Sequence, residues 1–127
     1  YNLLSQDFLY PEPLRNVIFL DNHDMTRFFT QTGKSLDAYK LGLSFIMTTR
    51  GIPQLYYGSE IVMEGDKNLG DGRLRDDFPG GWPGDARNVF TGEGLTGQEK
   101  DALEFTKLIL NWRKTKEVIH TGFGKKH

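Results

Sequence analysis

The first residues here that could do chemistry are Asp21-Asn22-His23-Asp24, with Arg27 three positions on. They directly follow the apolar run Val17-Ile18-Phe19-Leu20. A carboxylate placed straight after a buried strand is held by rigid backbone, which suits charge stabilisation. His23 beside it is a hydrogen-bond donor for a sugar hydroxyl. Arg27 could orient the two carboxylates and keep them ionised through opposite charge. The alternative is that Asp21 and Asp24 only cap the turn that follows.

A second group lies in Gly51-Ile52-Pro53-Gln54-Leu55-Tyr56-Tyr57-Gly58-Ser59-Glu60. Structurally it reads as a helix stop, a buried strand and a turn. Functionally it would put Tyr57, Ser59 and Glu60 on the rim of a cleft, with Glu60 orienting its neighbours rather than acting as an acid catalyst. The third group is Arg73, Arg75, Asp76, Asp77, Phe78 and Trp82. Aromatic faces next to polar groups hold sugar rings by stacking on their C–H faces. Alternatively, Phe78 and Trp82 plug their loop onto the scaffold. Asp-Asn-His-Asp also echoes the Gly-Asn-His-Asp of metallophosphoesterases, but with three histidines in all there is no second metal-ligand cluster. His120 and His127 read as surface residues.

These groups need elements to position them. Leu3, Leu4, Phe8 and Leu9 could end a helix that Pro11 and Pro13 break. The run 17–20 predicts a strand buried on both faces, as in a parallel sheet. Ser35 as N-cap, Asp37 in the first turn, and Tyr39, Leu43, Ile46 and Met47 at helical spacing predict a helix that Gly51 and Pro53 stop. A second strand is expected over Gln54 to Tyr57. Residues 61–95 then form a long glycine-rich loop, and loops of that length inside a compact domain are usually functional. Thr96 with Glu99 makes a capping box ahead of an amphipathic helix carrying Ala102, Phe105, Ile109 and Trp112, with Trp112 assigned to the core. Residues 117–127 are expected to be a partial strand or a tail. Strands alternating with helices argue for βα units around a parallel sheet, where chemistry gathers at the C-terminal strand ends.

The chain has 127 residues, 37% hydrophobic and 13% aromatic, which suits one compact domain. Its 16 basic and 17 acidic residues nearly cancel, giving no electrostatic case for nucleic acid or an anionic membrane. No apolar run approaches the roughly 20 residues needed to span a bilayer. The absence of cysteine excludes disulfides and leaves the compartment open. The N-terminal residues have neither the positive nor the apolar region of a signal peptide and no initiator Met, and the start is read as a cut inside a longer chain.

Phe19-Leu20-Asp21-Asn22-His23-Asp24 with Arg27, followed by Gly51 to Glu60 as quoted, resembles the alpha-amylase family of glycoside hydrolases. The first stretch looks like the family's signature at the end of barrel strand seven, the second like its strand-eight region. Asp76-Asp77-Phe78-Pro79-Gly80-Gly81-Trp82 is similar to the neopullulanase and cyclomaltodextrinase branch. The resemblance implies an α/β fold, the last two βα units of a (β/α)8 TIM barrel that is incomplete here, with residues 1–127 as its C-terminal part and no second complete domain. It implies a retaining mechanism on α-glucans of the starch, maltooligosaccharide and pullulan type. In such a mechanism a nucleophile and an acid/base flank the scissile bond about 5 Å apart. Asp24 matches the family's third acid, which supports the oxocarbenium-like transition state. His23 matches the histidine that contacts the same sugar. Asn22, Arg27, Tyr57, Phe78 and Trp82 are the expected substrate-binding residues.

Strands one to six are missing from this stretch, and with them the nucleophile, the acid/base and the family's calcium-site loops. The chain is therefore expected to be inactive alone and to need no cofactor itself, calcium belonging to the complete parent. A periplasmic or extracellular parent is expected over a cytoplasmic one. Expected partners are an α-glucan, the rest of the barrel, and further copies of the chain, since two βα units leave sheet edges and one sheet face uncovered. The alternative function is a non-catalytic barrel relative serving as a carbohydrate-binding or interaction scaffold.

Overall fold

The computed structural model describes residues 6–121. Leu3, Leu4 and His127 lie outside them. A 3-10 turn at Asp7–Leu9 stands where a helix end was expected, and its Phe8 and Leu9 are exposed. A second 3-10 turn, Pro13–Arg15, opens on proline and leads into strand β1, Val17–Ile18. Helices α1 (Phe28–Gln31) and α2 (Leu36–Thr48) follow, then strand β2 (Ile52–Pro53). Short 3-10 turns at Ser59–Ile61, Lys67–Leu69 and Asp71–Leu74 punctuate the long connection. Helix α3 (Gly97–Lys114) and the short α4 (Glu117–Thr121) complete the described chain.

β1 and β2 pair in parallel, Val17 against Ile52 and Ile18 against Pro53. This is the parallel βα arrangement read from the sequence, with one shift. The second strand begins two residues before Gln54, although the Gln54 amide still donates to the Ile18 carbonyl at 2.8 Å. Gly51 makes the pairing possible. Its φ is +107°, and a Cβ there would stand 2.7 Å from the Asn16 carbonyl oxygen.

The core lies on one side of this ribbon. Phe29, Tyr39, Leu43, Ile46, Met47, Val62 and Ala102 form it, with Ile18 and Leu20 packed against them. The expectation of a strand buried on both faces is corrected here. Val17 and Phe19 are 52% and 43% exposed. Side chains alternate across a strand, so a single helical layer covers only every second residue.

α2 is the predicted helix. Ser35 Oγ accepts the Ala38 amide, and the apolar stripe Tyr39, Leu43, Ile46, Met47 is buried. α3 carries the full predicted capping box at Thr96 and Glu99. Trp112, however, is 39% exposed, and the last inward position belongs to Arg113. The stripe runs Ala102, Thr106, Arg113, with Phe105 and Ile109 half-buried on its flank. Thr106 satisfies its hydroxyl on the Ala102 carbonyl at 2.8 Å and meets the Tyr39 hydroxyl at 3.4 Å. α4 stands where the partial strand or tail was expected, and its His120 ring contacts the Arg113 carbonyl at 3.1 Å. Among the described residues no helix is long and apolar enough to cross a membrane.

Candidate active site

Asp21 and Asp24, three residues apart, have opposite environments. Asp21 is buried, and its carboxylate accepts the Phe28 amide at 2.8 Å and the Ser59 hydroxyl at 3.1 Å. It therefore supplies the first turn of α1 with a side-chain acceptor and ties that turn to the segment after β2. Asp24 is exposed. The turn that presents it is closed by Asn22, whose Oδ1 accepts the Asp24 amide at 2.9 Å. Both oxygens of the Asp24 carboxylate are engaged: His23 Nε2 stands 3.1 Å from Oδ2, and Arg75 Nη2 donates to Oδ1 at 3.0 Å.

Arg27 does not meet a carboxylate. It is 1% exposed, with Nε donating to the Leu74 carbonyl at 3.1 Å and Nη1 to the Tyr57 carbonyl at 2.6 Å. Its guanidinium lies 4.1 Å from the Tyr56 ring centroid and 4.9 Å from that of Tyr57. Nη2 is buried without a hydrogen-bond partner. Arg27 thus acts beneath the site, as the joint between α1, the end of β2 and the long loop.

The loop over residues 61–95 is fastened to the site at three successive residues. Leu74 is fully buried and its carbonyl receives Arg27, Arg75 reaches Asp24, and the Asp76 carbonyl accepts the Tyr57 hydroxyl at 2.9 Å. Upstream, the Arg27 amide donates to the Gly65 carbonyl at 2.8 Å and the Gly65 amide to Thr30 Oγ1 at 3.0 Å. The loop's length is thus used in reaching the strand ends.

Phe78 and Trp82 sit in its distal half. Phe78 is half-buried and packs on Phe90 with ring centroids 5.8 Å apart. Trp82 is 64% exposed, while its amide and that of Gly80 are held by Asp85 at 3.1 and 2.9 Å. Phe78 and Trp82 thus make these contacts within the loop, while Arg87 ties this half to Glu99 of α3, so the structure joins His23, Asp24, Arg75 and Tyr57 but leaves Phe78 and Trp82 outside that group.

Burial raises the Glu60 carboxyl above its ordinary range, with two backbone amides and Arg27 pulling the other way. Burial likewise raises the Tyr57 hydroxyl, reinforced by Tyr56. A hydrogen bond from Lys67, 2.6 Å away, holds the Asp71 carboxyl below the usual range. A groove of about 750 Å³ opens between α1, the loop and the start of α3, lined by Lys34, Glu64, Arg73, Asp76, Arg87 and Glu99 among others. Asp24 and His23 are not in its wall. Among the described residues no group of three His, Asp or Glu side chains is placed to hold a metal ion.

The sequence places Arg75 in the third candidate group but does not point it at Asp24, because that partner is 51 positions away. Its local partner is Asp71, four residues back, in a 3.4 Å ion pair.

The sequence matches the family model of the alpha-amylase catalytic domain over residues 4–122. The cyclomaltodextrin glucanotransferase of Bacillus sp. (strain 38-2) is 47% identical over 68 residues, 52% of this chain and 9% of the relative. Alpha-amylase 3 of Dictyoglomus thermophilum is 41% identical over 75 residues, 59% of this chain and 14% of the relative. Among solved structures, the alpha-amylase of Geobacillus thermoleovorans in complex with acarbose superposes with a TM-score of 0.69 at 26% identity, covering 97% of this chain and 24% of that one. An Anoxybacillus alpha-amylase at 24% identity and a TM-score of 0.70, covering 97% of this chain and 24% of that one, supports the fold alone. The chain thus spans about a tenth of the length of the curated relatives it matches and about a quarter of the solved ones.

Proposed function

Because this chain belongs to the alpha-amylase catalytic-domain family, we propose that it forms strands seven and eight of the barrel of a retaining α-glucan hydrolase, with Asp24 as its transition-state-stabilising carboxylate. The observation that carries the reading is the setting of Asp24. It stands just beyond the C-terminal end of β1 in a parallel pair, exposed, and held through both oxygens by His23 and Arg75. A carboxylate fixed by donors before the substrate arrives needs little reorganisation when positive charge develops at the anomeric carbon. His23 would donate to hydroxyls of the same sugar. Asn22 and Arg27 act from behind, one through the Asp24 backbone and the other through Tyr57. The nucleophile and acid/base come from the rest of the barrel, so the chain alone is inactive.

Residues 76–82 favour the neopullulanase and cyclomaltodextrinase-like branch, with the exposed Trp82 ring and the Phe78–Phe90 pair offering faces for sugar rings. The competing reading, a non-catalytic binding scaffold, leaves the paired His23 and Asp24 without a task.

The test is reducing-sugar release from starch, pullulan and cyclodextrin by the complete barrel protein, by its Asp24→Asn variant and by this chain alone. Release by the complete protein only, lost in the variant, is expected. Full turnover in Asp24→Asn would sink the assignment. Release by the isolated chain would mean these residues hold a complete site.

A further inference from the structure

We propose that Trp82 and Phe90 form a second α-glucan site, separate from the Asp24 group, which holds the polysaccharide and takes no part in its cleavage. It rests on the α-glucan substrate class proposed above.

Both rings stand open to water on backbone that is tied down. Trp82 is 64% exposed and Phe90 77%. Asp85 Oδ2 accepts the Gly80 and Trp82 amides at 2.9 and 3.1 Å. Asn88 Oδ1 accepts the Phe90 and Thr91 amides at 2.9 and 3.2 Å. Each ring is therefore carried by a turn that a side chain closes. The two turns are joined to each other. The Val89 amide donates to the Pro79 carbonyl at 3.1 Å. Gly80, at φ +94°, lies so close that a Cβ there would stand 2.6 Å from Asn88 Oδ1. Phe78 supports the Phe90 ring from one side, and Arg87 fastens the pair of turns to Glu99 of α3.

Folding alone gives no reason for this arrangement, because ordering a turn costs entropy and an exposed ring buries little in return. Binding does give one: a ring fixed beforehand loses little freedom when a ligand covers it. The surroundings choose the ligand. Arg87 is the one cation among residues 78–94 and already pairs with Glu99, which leaves nothing there to select an anion. Flat apolar faces beside a carboxylate and a carboxamide suit a neutral sugar, whose C–H face stacks and whose hydroxyls exchange hydrogen bonds.

The test is adsorption of the complete barrel protein to granular starch, with acarbose added to the concentration that just abolishes hydrolysis. The unsubstituted protein should stay adsorbed. Trp82→Ala and Phe90→Ala should each weaken adsorption about 10-fold, the scale of losing one anchoring ring from an interface. Phe90→Tyr should keep most of it, whereas Phe90→Leu, apolar but without a flat face, should behave as the alanine variant. Asp85→Ala retains both rings but loosens one turn, and should also weaken adsorption. Release by acarbose would overturn the proposal and return the rings to the Asp24 cleft. Unchanged adsorption in both alanine variants would overturn it too. So would a fall in oligomeric mass in those variants, which would make the rings a contact between copies. Failure of the unsubstituted complete protein to hydrolyse starch would instead sink the reading of substrate class, so the two failures are distinguishable.

Discussion

Arg113, near the end of α3, closes the far end of α2 by donating from Nη2 to the Gly51 carbonyl at 2.7 Å. Its Nη1 reaches the Met47 and Thr49 carbonyls at 2.6 and 3.1 Å. One guanidinium thus satisfies carbonyls that the end of α2 leaves open and fixes the entry to β2. Arg113→Ala should destabilise the fold by about 3 kcal/mol, since charged hydrogen bonds are lost and buried carbonyls are left bare. Arg113→Lys should cost less, keeping the charge but not the fork. Urea unfolding checks this, and equal stability of all three proteins would reduce the contact to an incidental one.

Asp21 and Asp24 should separate cleanly on substitution. Asp21→Ala removes the acceptor for the Phe28 amide and the Ser59 hydroxyl, and should cost about 1–2 kcal/mol. Asp24→Asn should leave stability within about 0.5 kcal/mol. In the complete barrel protein it should lower kcat on the order of 10²-fold or more. Thermal melts beside kinetics decide it, and the reverse pattern would exchange the two roles.

The parts of the fold legible in the sequence are those fixed by neighbours along the chain. The Ser35 cap and the Thr96–Glu99 box act within three residues, and both helices start where those residues stand. What escaped reading depends on distant partners. α1 has no cap signal of its own, because its acceptor is Asp21, seven residues back. Trp112 was placed in the core on spacing alone, but Arg113 is drawn inward by carbonyls more than sixty positions away. Of the candidate site, the Asp21 to Asp24 cluster was visible as a run of polar residues after an apolar one. The difference between its two aspartates was not, because Ser59 and Arg75 create it.

Trp82 and Phe78 should respond differently although they share a loop. Trp82 is exposed on a backbone held by Asp85, so Trp82→Ala should leave the melting temperature unchanged. It should raise KM for longer or branched glucans if the ring stacks on sugar. Phe78 packs on Phe90, so Phe78→Ala should add a loss of about 1 kcal/mol to any rise in KM. KM unchanged across chain lengths in both variants would return the rings to loop packing.

Glu60 sets a pH dependence whose sign follows from its raised carboxyl. A group whose pKa is higher folded than unfolded contributes stability that is complete below the unfolded value and lost as pH rises through the folded one. Ionised Glu60 therefore opposes folding at neutral pH. Glu60→Gln should be more stable than the parent sequence at pH 7, with the difference shrinking toward about pH 4. Unfolding curves across that range read it directly. A less stable Gln variant at pH 7 would mean that the attraction of Arg27 outweighs burial.

The open face of the sheet should make the isolated chain self-associate. Val17 and Ile52 are register partners, 52% and 53% exposed, and Phe19 continues the same face at 43%. Ile18 and Leu20, which alternate with them, are already packed on the core. Covering these half-exposed side chains on both of two facing copies is worth roughly 5–8 kcal/mol in all. Association itself costs at least about 4 kcal/mol. The balance favours a weak assembly that dissociates on dilution rather than an obligate one, and the unpaired strand edges offer it a second route. Light scattering behind a sizing column should show a mass that rises with concentration. Val17→Lys with Ile52→Lys should hold the chain at monomer mass without unfolding it, because neither side chain contributes to the core. A folded monomer of the unsubstituted chain at every concentration would show that this face tolerates water. The prediction concerns the chain alone: in a complete barrel the same three side chains would point toward the strands that this chain lacks.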